Sequence, residues 1–327
     1  MKPIIAISMG DYNGIGPEVV LKTLSSQKTN RATPVVLGHI DVLKYYNSLD
    51  LELHLIEDSS HIKHSVVNVL NCVPDEDLDI TPGNITQNTG LCSMLAVERG
   101  IEWCMQQKAD ALVTAPISKE AIHKAGYHFP GHTEFLAEKT ETSEFMMILA
   151  SENLRVGLAT VHVPLTKVAP LITQKNLIRH LKVLNDSLKQ DFGIADPKIA
   201  VFGLNPHAGD GGVIGSEEID IIDPAVKHAQ TNGISAQGPF AGDGFFGNSM
   251  QKEFDAILAM YHDQGLIPFK ALTFGSGVNF TAGLPIIRTS PDHGTAFAIA
   301  GQNKADHHSF ESAYNLAIKM ALNRNKN

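Results

Sequence analysis

Three histidines of the sequence share a setting that suits metal binding. His162 in TVHVPL, His207 in LNPHAGD and His262 in MYHDQG each follow an apolar run that we predict to be a β-strand. Strand ends of one sheet can converge, and three neutral imidazoles would leave positions on a divalent ion open for a substrate. The histidines form no local zinc motif such as HExxH. With 15 histidines in the sequence, chance placement is the competing interpretation.

Asp263 follows His262 directly and adds a carboxylate to the same turn. This carboxylate could be a further ligand, or it could accept a hydrogen bond that fixes the tautomer of an imidazole. An aspartate here could equally cap a turn or a helix. The residues alone leave these roles open.

The segment FPGHTEFLAEKT is a candidate for anion binding. We predict an amphipathic helix that begins near Glu134 with Thr133 as its N-cap, and the free N–H groups of a helix start attract anions. Capping alone explains Thr133. His132 is left unexplained by the cap, and it could donate to a phosphate or a carboxylate.

Lys270, Asn279 and Arg288 follow one another at equal spacing in the segment FKALTFGSGVNFTAGLPIIRT. Arg288 lies in an otherwise apolar stretch, where a guanidinium needs an anionic partner. That partner could be a substrate phosphate or a structural carboxylate, and the local sequence favours neither.

The elements that would position these residues alternate between strands and helices. Apolar side chains at three- and four-residue steps predict helices over 88–108, 174–191 and 216–230. The predicted strands are PIIAIS, TPVVLGH, LELHLI, VVNVLN, ADALVTAP, FMMILAS, RVGLATVHV, KIAVFGLNP and FDAILAMY. Such alternation indicates an α/β protein, in which ligands bind beyond the carboxyl ends of the strands. The glycine-rich segments GDYNGIGPE and GDGGVIG fit neither GxGxxG nor Walker A.

Composition narrows the class of protein further. A chain of 327 residues with 43% hydrophobic residues can bury a large core in one elaborate domain or two domains. A net charge of −9 with dispersed Lys and Arg argues against a nucleic-acid partner. With no signal-peptide core and no apolar run of membrane-span length, we expect a soluble cytoplasmic protein. Three cysteines without CxxC spacing predict buried thiols rather than disulfides.

Several longer strings carry a resemblance to a known family. They are GIGPE, TAPISKEA, GHTEFLA, NPHAG, GSEE, YHDQGLIPFK and GVNFTAGLPIIRTSPDHGTAF. Through them the chain resembles, nearly end to end, the 4-hydroxythreonine-4-phosphate dehydrogenase family of pyridoxal phosphate biosynthesis. The resemblance implies an α/β fold like that of isocitrate and isopropylmalate dehydrogenases, with two α/β domains and the active site in the cleft between them. We expect the first domain near 1–125 plus 265–327 and the second near 126–264, which would carry much of a homodimer interface.

The resemblance also implies roles for individual residues. The family's divalent ion, which could be zinc, magnesium, cobalt, manganese or nickel, would be held by His162, His207 and His262, with ligands drawn from both subunits. The positions that match substrate-binding residues are His132, Thr133, Lys270, Asn279 and Arg288. The segment SPDHGTAFAIAG looks like the dinucleotide-binding loop, and its candidates for NAD or NADP are Asp292, His293, Gly294 and Thr295.

One departure from the family pattern is visible in the first loop. Where GDPAGIGPE is expected, this sequence has GDYNGIGPE, with Tyr12 and Asn13 in the Pro-Ala positions. The loop could therefore be shaped differently.

The reaction implied is the metal- and NAD(P)-dependent oxidation of 4-phosphooxy-L-threonine to 2-amino-3-oxo-4-phosphooxybutanoate, which decarboxylates to 3-amino-2-oxopropyl phosphate. Lys270 or Asp243 could relay the proton, and we favour Lys270. Relatives that act on 4-phospho-D-threonate or D-erythronate would share these residues, so the motifs do not decide the substrate. More distant alternatives are a metal-dependent phosphoester hydrolase and a non-catalytic binding protein.

Overall fold

The chain forms two compact units in the computed structural model, which describes residues 2–26, 31–73, 78–129 and 131–326. Unit 1 comprises the described residues up to Ser143 together with Leu284–Lys326, and unit 2 comprises Glu144–Gly283. The boundaries thus fall near 143 and 284, whereas the sequence analysis placed them near 125 and 265.

The described strands are β1 (Ile4–Ser8), β2 (Thr33–Gly38), β3 (Leu53–Ile56), β4 (Val67–Asn71), β5 (Ala111–Thr114), β6 (Met146–Ala150), β7 (Arg155–Leu158), β8 (Lys198–Phe202), β9 (Ser235–Phe240), β10 (Ala256–Ala259), β11 (Val278–Ala282) and β12 (Arg288–Pro291). The described α-helices are α1 (Gly16–Ser26), α2 (Ile40–Tyr46), α3 (Gln87–Met105), α4 (Lys119–Lys124), α5 (His132–Lys139), α6 (Val168–Leu171), α7 (Gln174–Gln190), α8 (Asp223–Thr231), α9 (Gly242–Gly247), α10 (His262–Thr273) and α11 (His308–Arg324). A π-helical turn, Glu218–Ile222, leads directly into α8.

Unit 1 contains a parallel sheet with the strand order β3-β4-β2-β1-β5-β12. Its strands read as apolar runs because a parallel sheet is buried on both faces, and every residue of β2 is buried. Helix α3 packs against β1, β2 and β5, and α11 packs against β5 and β12. The helix α5 belongs to this unit, since Lys139 at its end bonds Glu98 of α3 at 2.9 Å.

Unit 2 contains a mixed sheet with the order β11-β6-β7-β10-β8-β9. Strands β7, β10, β8 and β9 are parallel, and β6 runs antiparallel to both β11 and β7. The core of this unit includes Leu266 and Phe269 of α10, which pack with Phe202 and Phe245. Because of this packing, α10 belongs to unit 2, and the second boundary between the units lies after the helix, at Gly283.

The predicted helix over 88–108 corresponds to α3 and the one over 174–191 to α7. Both begin after a threonine N-cap, because Thr86 accepts a hydrogen bond from the N–H of Thr89 and Thr173 accepts one from Asn176. Among the described helices, none is long and apolar enough to cross a membrane. All three cysteines are free, and Cys92 and Cys104 are buried, which confirms the prediction for those two.

Candidate functional site

The three predicted metal-binding histidines follow three neighbouring parallel strands. His162 comes after β7, His207 after β8 and His262 after β10. Strand β10 lies between the other two, with Ile257 opposite Val156 on one side and Ala200 on the other. The three histidines thus follow the carboxyl ends of neighbouring strands in one sheet.

His262 is the first residue of α10 rather than part of a turn that ends a strand. Strand β10 ends at Ala259, and the helix comes so close to β7 that a Cβ at Gly265 would lie 2.8 Å from side-chain atoms of Val156 and Leu158. Glycine at that position lets the start of α10 approach the strand ends.

The imidazoles of His162 and His262 lie side by side. Their ring centroids are 6.0 Å apart, and both residues line one cavity of about 210 Å³. Nδ1 of His262 donates to Oδ1 of Asp263 at 2.7 Å. Of the three roles considered for Asp263, the structure shows the one in which its carboxylate orients the ring and leaves Nε2 for a ligand.

His207 lines a second cavity, of about 560 Å³, which it shares with Asp243. Tyr261 and Asp263 line both cavities, so the two spaces adjoin at the start of α10. We looked among the described residues for groups of three or more possible metal ligands whose donor atoms all lie within 4.8 Å of one another. Asp306, His307 and His308 form such a group, and no other described residues do. His162, His207 and His262 of a single chain therefore do not approach one another that closely. Three imidazoles are suitable ligands for a divalent ion, but within one chain they do not form a complete coordination site.

Arg288 is the main feature of the candidate anion site in unit 1. It lies on β12, is 2% exposed, and donates from Nε and Nη2 to the hydroxyl of Thr114 at 3.1 and 2.7 Å. Burial lowers the pKa of Arg288 to about 9, and the charge of Glu134 opposes this fall. The guanidinium therefore keeps its charge at neutral pH. Thr114 is the first residue of the string TAPISKEA, but the sequence analysis did not identify it as the partner of Arg288.

His132 lies close enough to Arg288 for the two groups to interact electrostatically. Burial, and then the charge of Arg288, hold the pKa of His132 well below its usual value, so its ring is neutral at pH 7. Its Nε2 atom is buried and has no hydrogen-bond partner among the described residues. A buried polar atom without a partner is uncommon, and a bound anion would provide one.

The predicted N-cap role of Thr133 is wrong. Helix α5 begins at His132, its N-cap is Gly131, and Thr133 is a buried residue of the first turn. The glycine provides the extended backbone that a helix start needs, so the hydroxyl of Thr133 is not used by the cap.

Two further predicted substrate-binding residues belong to unit 2. Lys270 is exposed near the end of α10, two turns after His262. Asn279 lies on β11 opposite Leu149, and its Oδ1 is buried without a hydrogen-bond partner among the residues described.

The predicted dinucleotide segment follows β12. The N–H of Asp292 donates to Ser309 at 3.1 Å, and the carbonyl of Thr295 accepts from Ile15 at 3.0 Å. Nε2 of His293 is buried without a partner in the described part of the chain. A Cβ at Gly294 would meet no described atom within 4 Å, so the backbone there has open space beside it. The unpartnered nitrogen of His293 is the feature of this segment that a polar cofactor could satisfy.

The fold defines the class of protein. The structure resembles isocitrate dehydrogenase from Methylococcus capsulatus with a TM-score of 0.51 at 12% identity, over 99% of this chain and 87% of that one. At this identity the likeness concerns the fold alone, which is the α/β fold of that class and confirms the predicted fold class.

The chain belongs to the family of the pyridoxal phosphate biosynthetic protein PdxA, whose family model matches residues 30–317. A 4-hydroxythreonine-4-phosphate dehydrogenase of Prosthecochloris aestuarii is 44% identical, over 98% of this chain and 97% of that protein. The structure of 4-hydroxythreonine-4-phosphate dehydrogenase from Klebsiella pneumoniae matches with a TM-score of 0.89 at 37% identity, over 98% of this chain and 99% of that one. A protein of Oceanobacillus iheyensis, provisionally named a D-threonate 4-phosphate dehydrogenase, is 39% identical over 98% of each chain. The family resemblance seen in the sequence is confirmed.

Proposed function

We propose that the chain is a metal- and NAD(P)-dependent dehydrogenase that oxidises 4-phosphooxy-L-threonine to 2-amino-3-oxo-4-phosphooxybutanoate in pyridoxal phosphate biosynthesis. The product is a β-keto acid, and its loss of CO₂ gives 3-amino-2-oxopropyl phosphate. The observation that carries the proposal is the buried Arg288 beside the unpartnered Nε2 of His132, in a chain 44% identical to an enzyme of that name.

Arg288 and His132 would bind an anionic group of the substrate, either its phosphate or its carboxylate. The guanidinium supplies a fixed positive charge, and the neutral imidazole can donate from Nε2 without adding a second charge that would repel Arg288. Holding the anion at these two points orients the carbon to be oxidised. Thr133 and, in unit 2, Asn279 and Lys270 are the further binding residues we propose.

The residues that would hold a divalent ion are His162, His207 and His262, with Asp263 fixing the ring of His262. When bound, a divalent ion would supply Lewis-acid polarisation of the substrate oxygen, and a nicotinamide would supply the hydride acceptor. Asp292, His293, Gly294 and Thr295 are the residues we propose for the cofactor. The hydroxyl proton would pass to Lys270 or to Asp243, which shares a cavity with His207.

A second copy of the chain would complete the metal site, and exposed apolar side chains support this. In unit 2, Leu165 is 71% exposed and lines the His162 cavity, while Ile267 is 67% exposed and lines the His207 cavity. Val213 and Phe274 are 82% and 90% exposed. Large apolar side chains that are exposed in one chain are typical of a surface that a second subunit covers in a dimer. Here they lie at the cavities of histidines that do not form a complete metal site within one chain.

The substrate is tested by following NADH or NADPH absorbance. Purified protein with NAD or NADP is mixed with 4-phosphooxy-L-threonine or with 4-phospho-D-threonate, each with and without a chelator. Chelator-sensitive reduction with the first substrate alone is the expected result. The alternative favoured by the Oceanobacillus relative predicts the reverse preference with the same chelator sensitivity. Phosphate release without a nicotinamide would instead indicate a hydrolase.

A further inference from the structure

The segment that carries His207 has an unusual backbone. We call residues 203–212, GLNPHAGDGG, the His207 loop. Six consecutive residues have positive φ, with values of 54° at His207, 51° at Ala208, 80° at Gly209, 45° at Asp210, 65° at Gly211 and 98° at Gly212. Residues other than glycine rarely adopt this left-handed conformation, and it persists only where surrounding contacts hold it in place.

Glu218 provides such contacts from outside the loop. It is 3% exposed in the π-helical turn before α8. Its Oε1 accepts from the N–H groups of Leu204 and Asn205, both at 2.7 Å, and its Oε2 accepts from Nδ2 of Asn205 at 2.9 Å. A Cβ at Gly209 would lie 2.7 Å from Oε2, so the far side of the loop packs against the same carboxylate.

Gln264 connects this loop to the segment that carries His262. Its Nε2 donates to the carbonyl of Gly203 at 2.7 Å, and its Oε1 accepts from the N–H of Met260 at 2.7 Å. One amide thus bonds the end of β8 to the end of β10, a task that needs a donor and an acceptor in one side chain. Glu218, the His207 loop and Gln264 form a continuous network between two of the candidate metal-binding histidines.

We propose that Glu218 is a positioning residue for divalent-metal binding, which acts by holding the His207 loop in the conformation that presents its imidazole. The proposal rests on the proposed metal site. Glu218 need not touch the ion: its two oxygens are occupied by the loop. Replacing it with glutamine keeps the side-chain volume but removes the negative charge that accepts from the N–H groups of Leu204 and Asn205, and it sets an NH₂ group against one of the loop's donors. The bonds to the two backbone N–H groups are those that Glu217 does not make.

The test measures Co²⁺ binding to the full-length metal-free protein by titration calorimetry and visible absorption. All variants carry His307→Ala and His308→Ala, because the Asp306–His307–His308 group could bind Co²⁺ independently. We expect Glu218→Gln to raise the Kd for Co²⁺ about 10- to 100-fold, the range found when residues supporting a metal ligand are changed. Glu217→Gln is the matched control, since Glu217 contacts the loop only through Nδ2 of Asn205, and we expect its Kd to stay close to that of the parent.

Two further variants keep the outcomes distinct. Unchanged Co²⁺ binding in His207→Ala would overturn the metal site, whereas His207-dependent binding that Glu218→Gln leaves intact would overturn only the positioning role. Thermal unfolding of the metal-free variants shows whether weaker binding comes from a misplaced loop or from loss of the fold.

If Glu218→Gln does not fold, Gln264→Glu provides the test, since it keeps the acceptor for Met260 but faces the carbonyl of Gly203 with an oxygen. Weakened Co²⁺ binding in folded Gln264→Glu supports the network, and unchanged binding contradicts it.

Discussion

Arg288 carries the same charge as a lysine would, but its donors have a different geometry. Nε and Nη2 bond Thr114, and the planar guanidinium arranges its donors at fixed angles that a lysine ammonium cannot reproduce. We predict that Arg288→Lys raises the KM for the phosphorylated substrate about 10-fold or more, equivalent to about 1.4 kcal/mol or more, with a smaller change in kcat. Steady-state kinetics at saturating NAD or NADP measures this.

Arg155→Lys is the control for removing a partly buried guanidinium. Arg155 bonds the carbonyl of Asp255 in unit 2 and packs over Phe192, and it is not one of the proposed binding residues. Its substitution should affect stability more than KM. An unchanged KM in Arg288→Lys would remove Arg288 from the substrate site.

Asp11 is a buried carboxyl group in the first loop of unit 1. Although it accepts hydrogen bonds from the N–H of Asn13 and the hydroxyl of Thr89, burial raises its pKa to about 6 from 3.8. Because the pKa is higher in the folded state, the stability that Asp11 contributes is full below pH 4 and is lost as the pH rises through 6. The shift corresponds to about 3 kcal/mol.

We therefore predict that the free energy of unfolding of the wild type, relative to Asp11→Asn, falls by up to about 3 kcal/mol between pH 4 and pH 7. Urea denaturation at several pH values measures the difference. Asp58→Asn is the control, since Asp58 is exposed and hydrogen bonds to Ser60 lower its pKa, so it should not give a fall in this direction. A difference that does not vary with pH would contradict a raised pKa at Asp11.

At the scale of elements, the first loop shows what Asn13 does at the position where alanine was expected. Its Nδ2 donates to the hydroxyl of Thr81 and the carbonyl of Asn84 at 3.2 and 3.1 Å, and its Oδ1 accepts from the N–H of Thr81 at 2.9 Å. Two residues later, the N–H of Ile15 bonds the carbonyl of Thr295 in the proposed cofactor segment. Asn13 thus anchors a loop that contacts that segment.

We predict that Asn13→Ala destabilises the protein by about 1–3 kcal/mol, because buried partners lose their hydrogen bonds, and raises the KM for NAD or NADP severalfold. Asn13→Asp keeps the acceptor for Thr81 but faces the carbonyl of Asn84 with an oxygen, so it should not restore the stability. Asn232→Ala, which removes an exposed bond within α8 and its C-cap, is the control. Loss of stability with no change in the cofactor KM would limit Asn13 to a structural role.

Apolar patterns could predict strands that are buried along their length and long helices with one buried face. Strands β7, β8 and β10 are of the first kind and helices α3 and α7 of the second, so the three strand ends and their histidines could be placed from the sequence. Residues that interrupt the apolar pattern hid other strands. Asn279 and Thr281 interrupt the apolar pattern of β11, Arg288 begins β12, and β9 contains Pro239.

The contacts within the candidate site were less predictable than its members. The partners of Glu218 are backbone N–H groups 13 and 14 residues earlier in the chain. No residue type marks such a partnership, because any residue except proline offers the same N–H. Thr114 and Arg288 are 174 residues apart, and only the pairing of β5 with β12 brings them together.

At the scale of the whole molecule, Phe274 is a sensitive probe of the proposed dimer. It ends α10 with a φ of 47° and is 90% exposed. A bulky aromatic residue is unfavourable in the left-handed conformation and in water, whereas asparagine tolerates both. We predict that Phe274→Asn weakens the dimer at least 10-fold and leaves the stability of the monomer equal or higher.

Sedimentation velocity over a concentration series measures the dimer, and Tyr45→Asn, at an exposed aromatic residue of unit 1, is the control. A wild-type protein that stays monomeric at micromolar concentration would refute the dimer. An unchanged dissociation constant in Phe274→Asn would place the interface elsewhere.

Unit 1 is discontinuous in sequence, since all of Glu144–Gly283 lies between its two segments. During translation the ribosome therefore releases every strand of unit 2 before it releases β12, and continuous domains generally fold as units while synthesis proceeds. The parallel sheet of unit 1 therefore lacks its last strand, β12, until most of the chain has been synthesised. The contact between Arg288 and Thr114 is among the last contacts of unit 1 to form. A phosphorylated ligand held by Arg288 could stabilise only the finished fold and could not assist the nascent chain.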